Sequence, residues 1–474
     1  MDLTNRKFLR AVPIHRVLRR FGRVLRTSTQ VEFKHSLVVE EIAKFISHSW
    51  QASRWSKTLT LLLFYNWKAA VIVSNLMALL AMILFMFDLL PGFRKAARWG
   101  SEPLFVAPWT VCTAVLCFVL VLIFRAPKEP VFLDRLCINQ RDEHEKAEGV
   151  LNIGACLKRS RKLLVIWEST YCQRLWCIFE LAAFLKTHED KDVVVLPTSL
   201  AQFVIASIIW NFLMWGFYVV LPFGSQVTTY ILLFGYCAYG WLLSTVAVHH
   251  VLSVEKMQEE LRNFSVADAK CYCCSVNHKD PSGEDIPCDR HVMVQCVQQW
   301  FGSIEEFEMS VRSRLKDALS YSLGMFCPYS LVVTSALPCM WVNFDFAAAR
   351  LYRRDPFGAI GMSIIGLISV FLLAPAGVAL IILVIRFSSR CCLIFRKLLA
   401  VGVVLVANVA VHGILQVSVD YAGEMWGPAL CVPASLLPTF FLWWLTTRNS
   451  RGFGTDPQLK AEVPENGMTP SKSI

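Results

Sequence analysis

Trp176 and Glu180 stand one helical turn apart within the run RKLLVIWESTYCQRLWCIFELAAFLK. A carboxylate on a helix face, just past a polar loop, could face a developing positive charge on a bound molecule. At about 100° per residue, Leu175, Ile178, Ala182 and Leu185 share one side of that helix. Trp176, Glu180 and Ala183 share the other, and are predicted to project away from the core. The plainer alternative has Trp176 covering a neighbouring element and Glu180 bonding a loop amide; most such carboxylates do no chemistry. A second set lies further on: Cys271, Cys273, Cys274, His278, Cys288, His291 and Cys296. Thiolates with imidazoles suit tetrahedral zinc. The spacing CxCC-x3-H-x9-C-x2-H is not a usual finger pattern, so the sequence does not say which four of Cys271, Cys273, Cys274, His278, Cys288 and His291 would bind. Reduced, partly buried thiols are the other reading. Cys391 and Cys392, beside an apolar span, suit reversible acylation better.

The elements that must hold Glu180 follow from alternation. FISHSW, PVFLDRLCINQ, RKLLVIW and DVVVLPTS read as continuous apolar strands, the first centred on Ala43–Ile46. Between them lie helical stretches at Trp55–Trp67, GVLNIGACLKRS and QRLWCIFELAAFLK. Continuous strands alternating with helices imply a parallel sheet covered on both faces. The expected unit is one small α/β domain, residues 40–68 plus 127–200, split by an inserted membrane hairpin at 69–124. In such sheets ligands bind beyond the carboxyl ends of the strands. Three segments should converge there: Ser47-His48-Ser49-Trp50, Asn139-Gln140-Arg141 and Glu168-Ser169-Thr170.

Most of the rest is apolar. Of 474 residues, 55% are hydrophobic and 18% charged. Runs near the roughly 20 residues needed to cross a bilayer predict about eight spans: 69–88, 103–124, 201–223, 228–249, 323–343, 362–385, 398–418 and 425–446. Pro428, Pro433 and Pro438 could kink the last or make it re-entrant. The fold class expected is therefore a multi-pass α-helical membrane protein carrying a small cytosolic α/β domain of flavodoxin-like layout. With both termini cytosolic, 41 of the 47 Lys and Arg fall on the cytosolic side; Arg94, Lys95, Arg98, Arg350, Arg353 and Arg354 fall outside. That orientation leaves the sequon Asn263-Phe264-Ser265 unmodified. Of the chain's 17 cysteines, it also puts the four of 127–200 and the five of 251–322 in a reducing compartment, where free thiols are the default. Residues 1–35 are basic, with Ile14, Val17, Leu18, Phe21, Val24 and Leu25 at helical spacing. They read as an amphipathic helix on anionic lipid headgroups, or as a mitochondrial presequence. The 201–250 hairpin, a cytosolic Cys/His-containing helical segment at 251–322, four spans over 323–446 and a disordered tail at 447–474 complete the layout. Ser303 to Glu306 forms a capping box, opening a helix with Phe307, Val311 and Leu315 on one stripe. A net charge of +11 comes without any nucleic-acid-binding signature, so no nucleic acid partner is expected.

The run S-T-Y-C-Q-R-L-W-C-I-F-E-L closely resembles the third strand and following helix of TIR domains, and FISHSW resembles their first strand and loop. FLDRLCINQRDEHEKAEGVLNIGACLKRSRKLLVIW is similar to the core of fungal heterokaryon-incompatibility (HET) domains, themselves TIR-like. The similarity covers roughly 40–50 and 130–198. The resemblance implies a signalling module that self-associates, and in a subset of the family one that hydrolyses NAD. It puts the catalytic carboxylate at Glu180 with Trp176 on the preceding turn, and NAD as substrate rather than resident cofactor. Ser47, Ser49 and Arg54 are placed to contact phosphate or ribose. Two departures stand out: the inserted hairpin, and Arg174-Leu175 where TIR domains carry a serine before the tryptophan. A channel or transporter with a regulatory TIR-like domain, or a non-catalytic membrane scaffold, are the other classes. Few ionisable residues inside the spans, with His412 the interior candidate, speak against a coupled transporter.

Overall fold

The computed structural model describes residues 3–406, apart from 27–32, 52, 96–103, 140, 221–225, 280–282, 286–287, 316–318, 320–327, 389–391 and 404–405. Its strands are β1 (Arg10–Pro13), β2 (Leu37–Val38), β3 (Ile42–His48), an outlying ribbon of β4 (Phe93–Lys95) and β5 (Leu104–Val106), then β6 (Pro130–Phe132), β7 (Ser160–Trp167) and β8 (Val193–Pro197). One six-stranded sheet runs in the order β2-β1-β6-β3-β7-β8. Its last four strands are mutually parallel. Phe45 lies opposite Leu163, and Ser47 opposite Val165. The segment before the long apolar hairpin and the segment after it therefore share one sheet. Leu163 to Trp167 are buried without a break, as the continuous apolar run requires of a strand covered on both faces.

Three expectations need correction. The N-terminal segment is not simply a surface helix. β1 adds antiparallel to β6, with Val12 opposite Val131. Its α-helix, α1 (Ile14–Gly22), is broken by non-helical backbone at Arg19, Arg20 and Phe21, and Leu9, Val12, Ile14 and Val17 are buried in the core of the α/β domain. Apolar side chains at helical spacing fit a protein core as well as a bilayer, and here the core takes them. Strand two is also shorter than PVFLDRLCINQ suggests. It stops at Phe132, and Asp134–Cys137 is already a helical turn (α4). Asp134, not Asn139-Gln140-Arg141, is thus the residue at that strand end. Finally, the helix expected over GVLNIGACLKRS is two: α5 (Glu143–Leu151) and α6 (Ile153–Lys158), parted at the buried Asn152.

Two apolar helices interrupt the sheet between β3 and β6: α2 (Arg54–Met86) and α3 (Trp109–Phe124). At the sheet end, Asn66 Nδ2 donates to Leu122 O at 2.9 Å, and Arg125 Nη1 donates to Tyr65 O at 2.9 Å. These bonds clasp the hairpin where it meets the domain. Among the described residues, five helices are long and apolar enough to cross a membrane: Arg54–Met86, Thr198–Phe217, Leu233–Arg262, Tyr329–Tyr352 and Pro356–Ile385. α3 is apolar but has 16 residues, about 24 Å at ~1.5 Å per residue, against a ~30 Å hydrocarbon core. The expected spans 398–418 and 425–446, with His412 and the 447–474 tail, lie almost wholly outside the described residues.

The 251–322 segment is no separate lobe. After α8 (Thr198–Val220), helix α9 (Gln226–Arg262) runs unbroken past the expected end of its span. Its Met257 and Leu261 enter the same core as the sheet. The four-residue turn α10 (Tyr272–Ser275), α11 (Asp289–Phe301) and α12 (Ile304–Ser310) follow. Ser303 caps α12, its Oγ accepting from Glu306 N at 3.1 Å, and Phe307, Val311 and Leu315 are fully buried.

Candidate functional site

Glu180 belongs to α7 (Leu175–Leu185), which crosses from β7 to β8. Nine of its eleven residues are buried, including Ala183, which the sequence put on the outward side. The helix is enclosed by the sheet on one side and by α11 on another, where Trp300 stacks on Phe179 at 5.1 Å. Trp176 is half-buried and packs edge-on to Phe179. Glu180 instead interacts with Ser47, at the carboxyl end of β3, which favours its ionised form. Burial is the main cause that lifts its carboxyl from the ordinary 4.5 to about 8, the negative Asp134 adding to the shift and Ser47 opposing it.

Strand ends supply the rest. At the end of β3, Ser47 Oγ and Tyr171 Oη lie 2.7 Å apart, and Ser49 Oγ meets Thr170 Oγ1 at 3.2 Å. Thr170 in turn donates to Glu168 Oε1 at 2.6 Å. From β6, Asp134 Oδ2 accepts from Trp50 Nε1 at 3.2 Å and Oδ1 from its neighbour Arg135 N at 2.7 Å. Its pKa is raised by burial, against the pull of these donors. The fully buried Lys57, one turn into α2, donates to Ser49 O at 3.2 Å and sits over the Trp50 ring. His48 packs against Trp50 at 4.3 Å. Burial, with Lys57 adding to it, holds its imidazole neutral. Burial also pushes the thiols of Cys172 and Cys177 well up, so neither is a thiolate nucleophile at neutral pH.

The structure thus brings Ser47 to Glu180, and Ser49 to the next strand end. It does not bring Arg54, whose guanidinium lies over the Trp55 ring at 4.4 Å. Lys57, Asp134 and Tyr171 went unnoticed in the sequence. Asp134 was hidden by an apolar run read as one long strand, and Lys57 by an apolar-rich helix in which a single lysine looks incidental.

Of the seven Cys and His residues in the 251–322 segment, four converge. Donor atoms of Cys273, Cys274, His278 and Cys288 lie within 4.8 Å of one another. Cys271 is buried beside Cys273, Sγ to Sγ 3.4 Å. His291 is exposed and meets Gln295 at 3.2 Å.

Residues 133–203 match the TIR domain family. A TIR domain lies there. The match begins just after β6, so β3 and β6, which the sheet register joins to β7, are outside it. A TIR domain suggests a signalling function, and such domains often self-associate. No curated protein and no solved structure matches the chain.

Proposed function

We propose that this chain is a membrane-anchored TIR signalling protein that hydrolyses NAD at the nicotinamide–ribose bond, with Glu180 facing the reacting ribose. The observation that carries this reading is that Glu180, on the helix that follows β7 inside the TIR match, interacts with Ser47 at the carboxyl end of the adjoining β3. In the reaction the glycosidic C–N bond breaks and its electron pair leaves with nicotinamide, cancelling the pyridinium charge. Water then bonds to the anomeric carbon and gives up a proton. The leaving group is neutral, so no general acid is needed. A carboxylate beside the oxocarbenium-like ribose lowers the barrier electrostatically. A free-site pKa of about 8 keeps Glu180 protonated at neutral pH. The positive pyridinium of NAD, brought alongside, favours the carboxylate.

Anchoring rests on the five membrane-length helices, and on α9 passing directly from its apolar half into the domain core. The cytosolic placement of both termini rests on the charge asymmetry. A lipid-facing role for the N-terminus keeps one support. Arg20, Phe21 and Gly22 adopt left-handed φ of 53°, 52° and 62°, a turn that sets exposed Phe21 6.0 Å from exposed Trp55 near the start of α2. Exposed Arg19, Arg23 and Arg26 flank Phe21 in sequence, aromatic and basic residues suited to anionic headgroups. The HET-like run supports the same signalling class, with self-association through the TIR sheet. One observation favours a non-catalytic scaffold or channel regulator instead: Trp176 is packed on Phe179 rather than held open as a stacking face.

NAD turnover by the purified full chain in detergent or liposomes separates these. The wild type should release nicotinamide, and Glu180→Ala should be slower by about 100-fold or more. Equal rates in the two, or none in either, would leave the scaffold or channel reading.

A further inference from the structure

We propose that Cys273, Cys274, His278 and Cys288 form a tetrahedral zinc site that pins the loop after α9 to the start of the Glu180 helix. The separations match the ion. Cys273 and Cys274 Sγ are 3.9 Å apart, Cys274 and Cys288 Sγ 4.0 Å, and Cys274 Sγ and His278 Nε2 3.7 Å. With Zn–S bonds of ~2.3 Å and Zn–N bonds of ~2.0 Å, a regular tetrahedron has sulfur–sulfur edges of about 3.8 Å and sulfur–nitrogen edges of about 3.5 Å. Three thiolates and one imidazole are a soft set that selects zinc over oxygen-seeking cations. Without an ion, the same groups would have only weak thiol hydrogen bonds to offer one another.

The backbone is shaped to make this cluster. α10 carries Cys273 and Cys274, and His278 N closes the turn onto Cys273 O at 2.8 Å. Asn277 and His278 both take left-handed φ, 52° and 56°, which is unfavourable for side-chain-bearing residues and persists where surroundings enforce it. That turn returns the imidazole to Cys274. An antiparallel bridge between Lys279 and Asp285, with an ion pair at 2.6 Å, then folds the chain back and delivers Cys288 at the head of α11. Three of the seven candidates are left outside the four-residue set: exposed His291, Cys296, and Cys271, whose Sγ lies 3.4 Å from that of Cys273.

The cluster sits beside α7 through main-chain bonds. Lys270 N donates to Gln173 O at 2.7 Å, and Leu175 N donates to Lys270 O at 3.2 Å. On the far side of the cluster, Arg290 clasps Val266 O and Ala269 O, each at 2.6 Å. An ion bound among the four residues therefore locks a loop whose one end is hydrogen-bonded to the first turn of the helix bearing Glu180. The proposal does not depend on NAD hydrolysis.

Metal content of the purified full chain in detergent tests it, by elemental analysis after purification without chelator. The expected result is about one zinc per chain for the wild type, for His291→Ala and for Cys296→Ser. Cys274→Ser and His278→Ala should fall at least about tenfold. Since those two variants could misfold, His278→Cys provides a second arm. It should keep zinc, and its cobalt-substituted form should show stronger thiolate-to-cobalt absorption than the wild type. Chelation of the wild type should speed hydrogen exchange in the first turn of α7. Zinc-free wild type that takes up no cobalt, zinc lost from His291→Ala but kept in His278→Ala, or unchanged exchange after chelation would each overturn the proposal.

Discussion

Glu180 is half-buried at the carboxyl edge of the sheet, where Ser47 favours its ionised form and the negative Asp134 opposes it. Its folded-state pKa, about 8, is above the ordinary 4.5. The sign of the linkage follows: the folded protein holds a proton that the unfolded chain releases, so stability is full below about pH 4.5 and is lost as pH rises toward 8. Glu180→Gln keeps the shape and the Ser47 partner but cannot ionise. Thermal unfolding in detergent should therefore show the variant matching the wild type at pH 4.5 and gaining on it through pH 8, by about 1–3 kcal/mol. A wild type whose midpoint rises over that interval relative to the variant would contradict the buried-acid description. Glu180 and Ser47 were legible in the sequence because each sits inside its own recognisable run. Tyr171, Asp134 and Lys57 were not, since their meaning comes from which strand ends become neighbours. No local pattern records that a lysine one turn into α2 will bond the carbonyl of Ser49.

At the scale of elements, α7 shows why a helical wheel misled. Its spacing allowed an outward side, and the sheet alone would have left one. The cover comes from α11, more than 100 residues later in the chain, through Trp300. Periodicity reports how many apolar positions a helix has, but not which distant element will claim its second face. The strands were read more securely: continuous burial on two faces leaves a run such as LLVIW little else to be. Trp300 also reaches α6, where a Cβ built on Gly154 would lie 2.2 Å from the indole. Gly154 is therefore a packing glycine, needed for close approach. Gly154→Val should displace the indole from Phe179 and cost about 1–3 kcal/mol. The loss would appear as a lower unfolding midpoint and as red-shifted tryptophan emission. If the penalty is the same in a Trp300→Leu background, the clash is not with Trp300 and the account of α7's cover fails.

For the whole molecule, the unusual step is a sheet whose adjoining strands β3 and β6 are separated in sequence by two long apolar helices. The domain holds together only if that insertion returns the chain to the right register, which makes the far end of the hairpin as important as the clasp at Asn66. Asp345, fully within the helix Tyr329–Tyr352, secures it. Its carboxylate accepts from Thr110 N at 2.8 Å and from Val111 N at 3.2 Å, two of the unpaired amides that open α3. The span expected at 323–343 stopped two residues short, so this interior carboxylate was missing from the argument that the spans hold few ionisable groups. Its occupation as a helix cap gives it a structural role and leaves that argument against coupled transport standing. Asp345→Ala should strand both amides and cost about 1–3 kcal/mol, whereas Asp345→Asn, still able to accept, should recover about half of the loss. Because α3 leads straight into β6, the effect should reach the sheet: hydrogen exchange at Val131 and Phe132 should quicken in the alanine variant and less so in the asparagine one. Unchanged exchange at β6 together with a lowered unfolding midpoint would mean that the hairpin and the TIR sheet unfold independently, and that the insertion is carried by the domain rather than built into it.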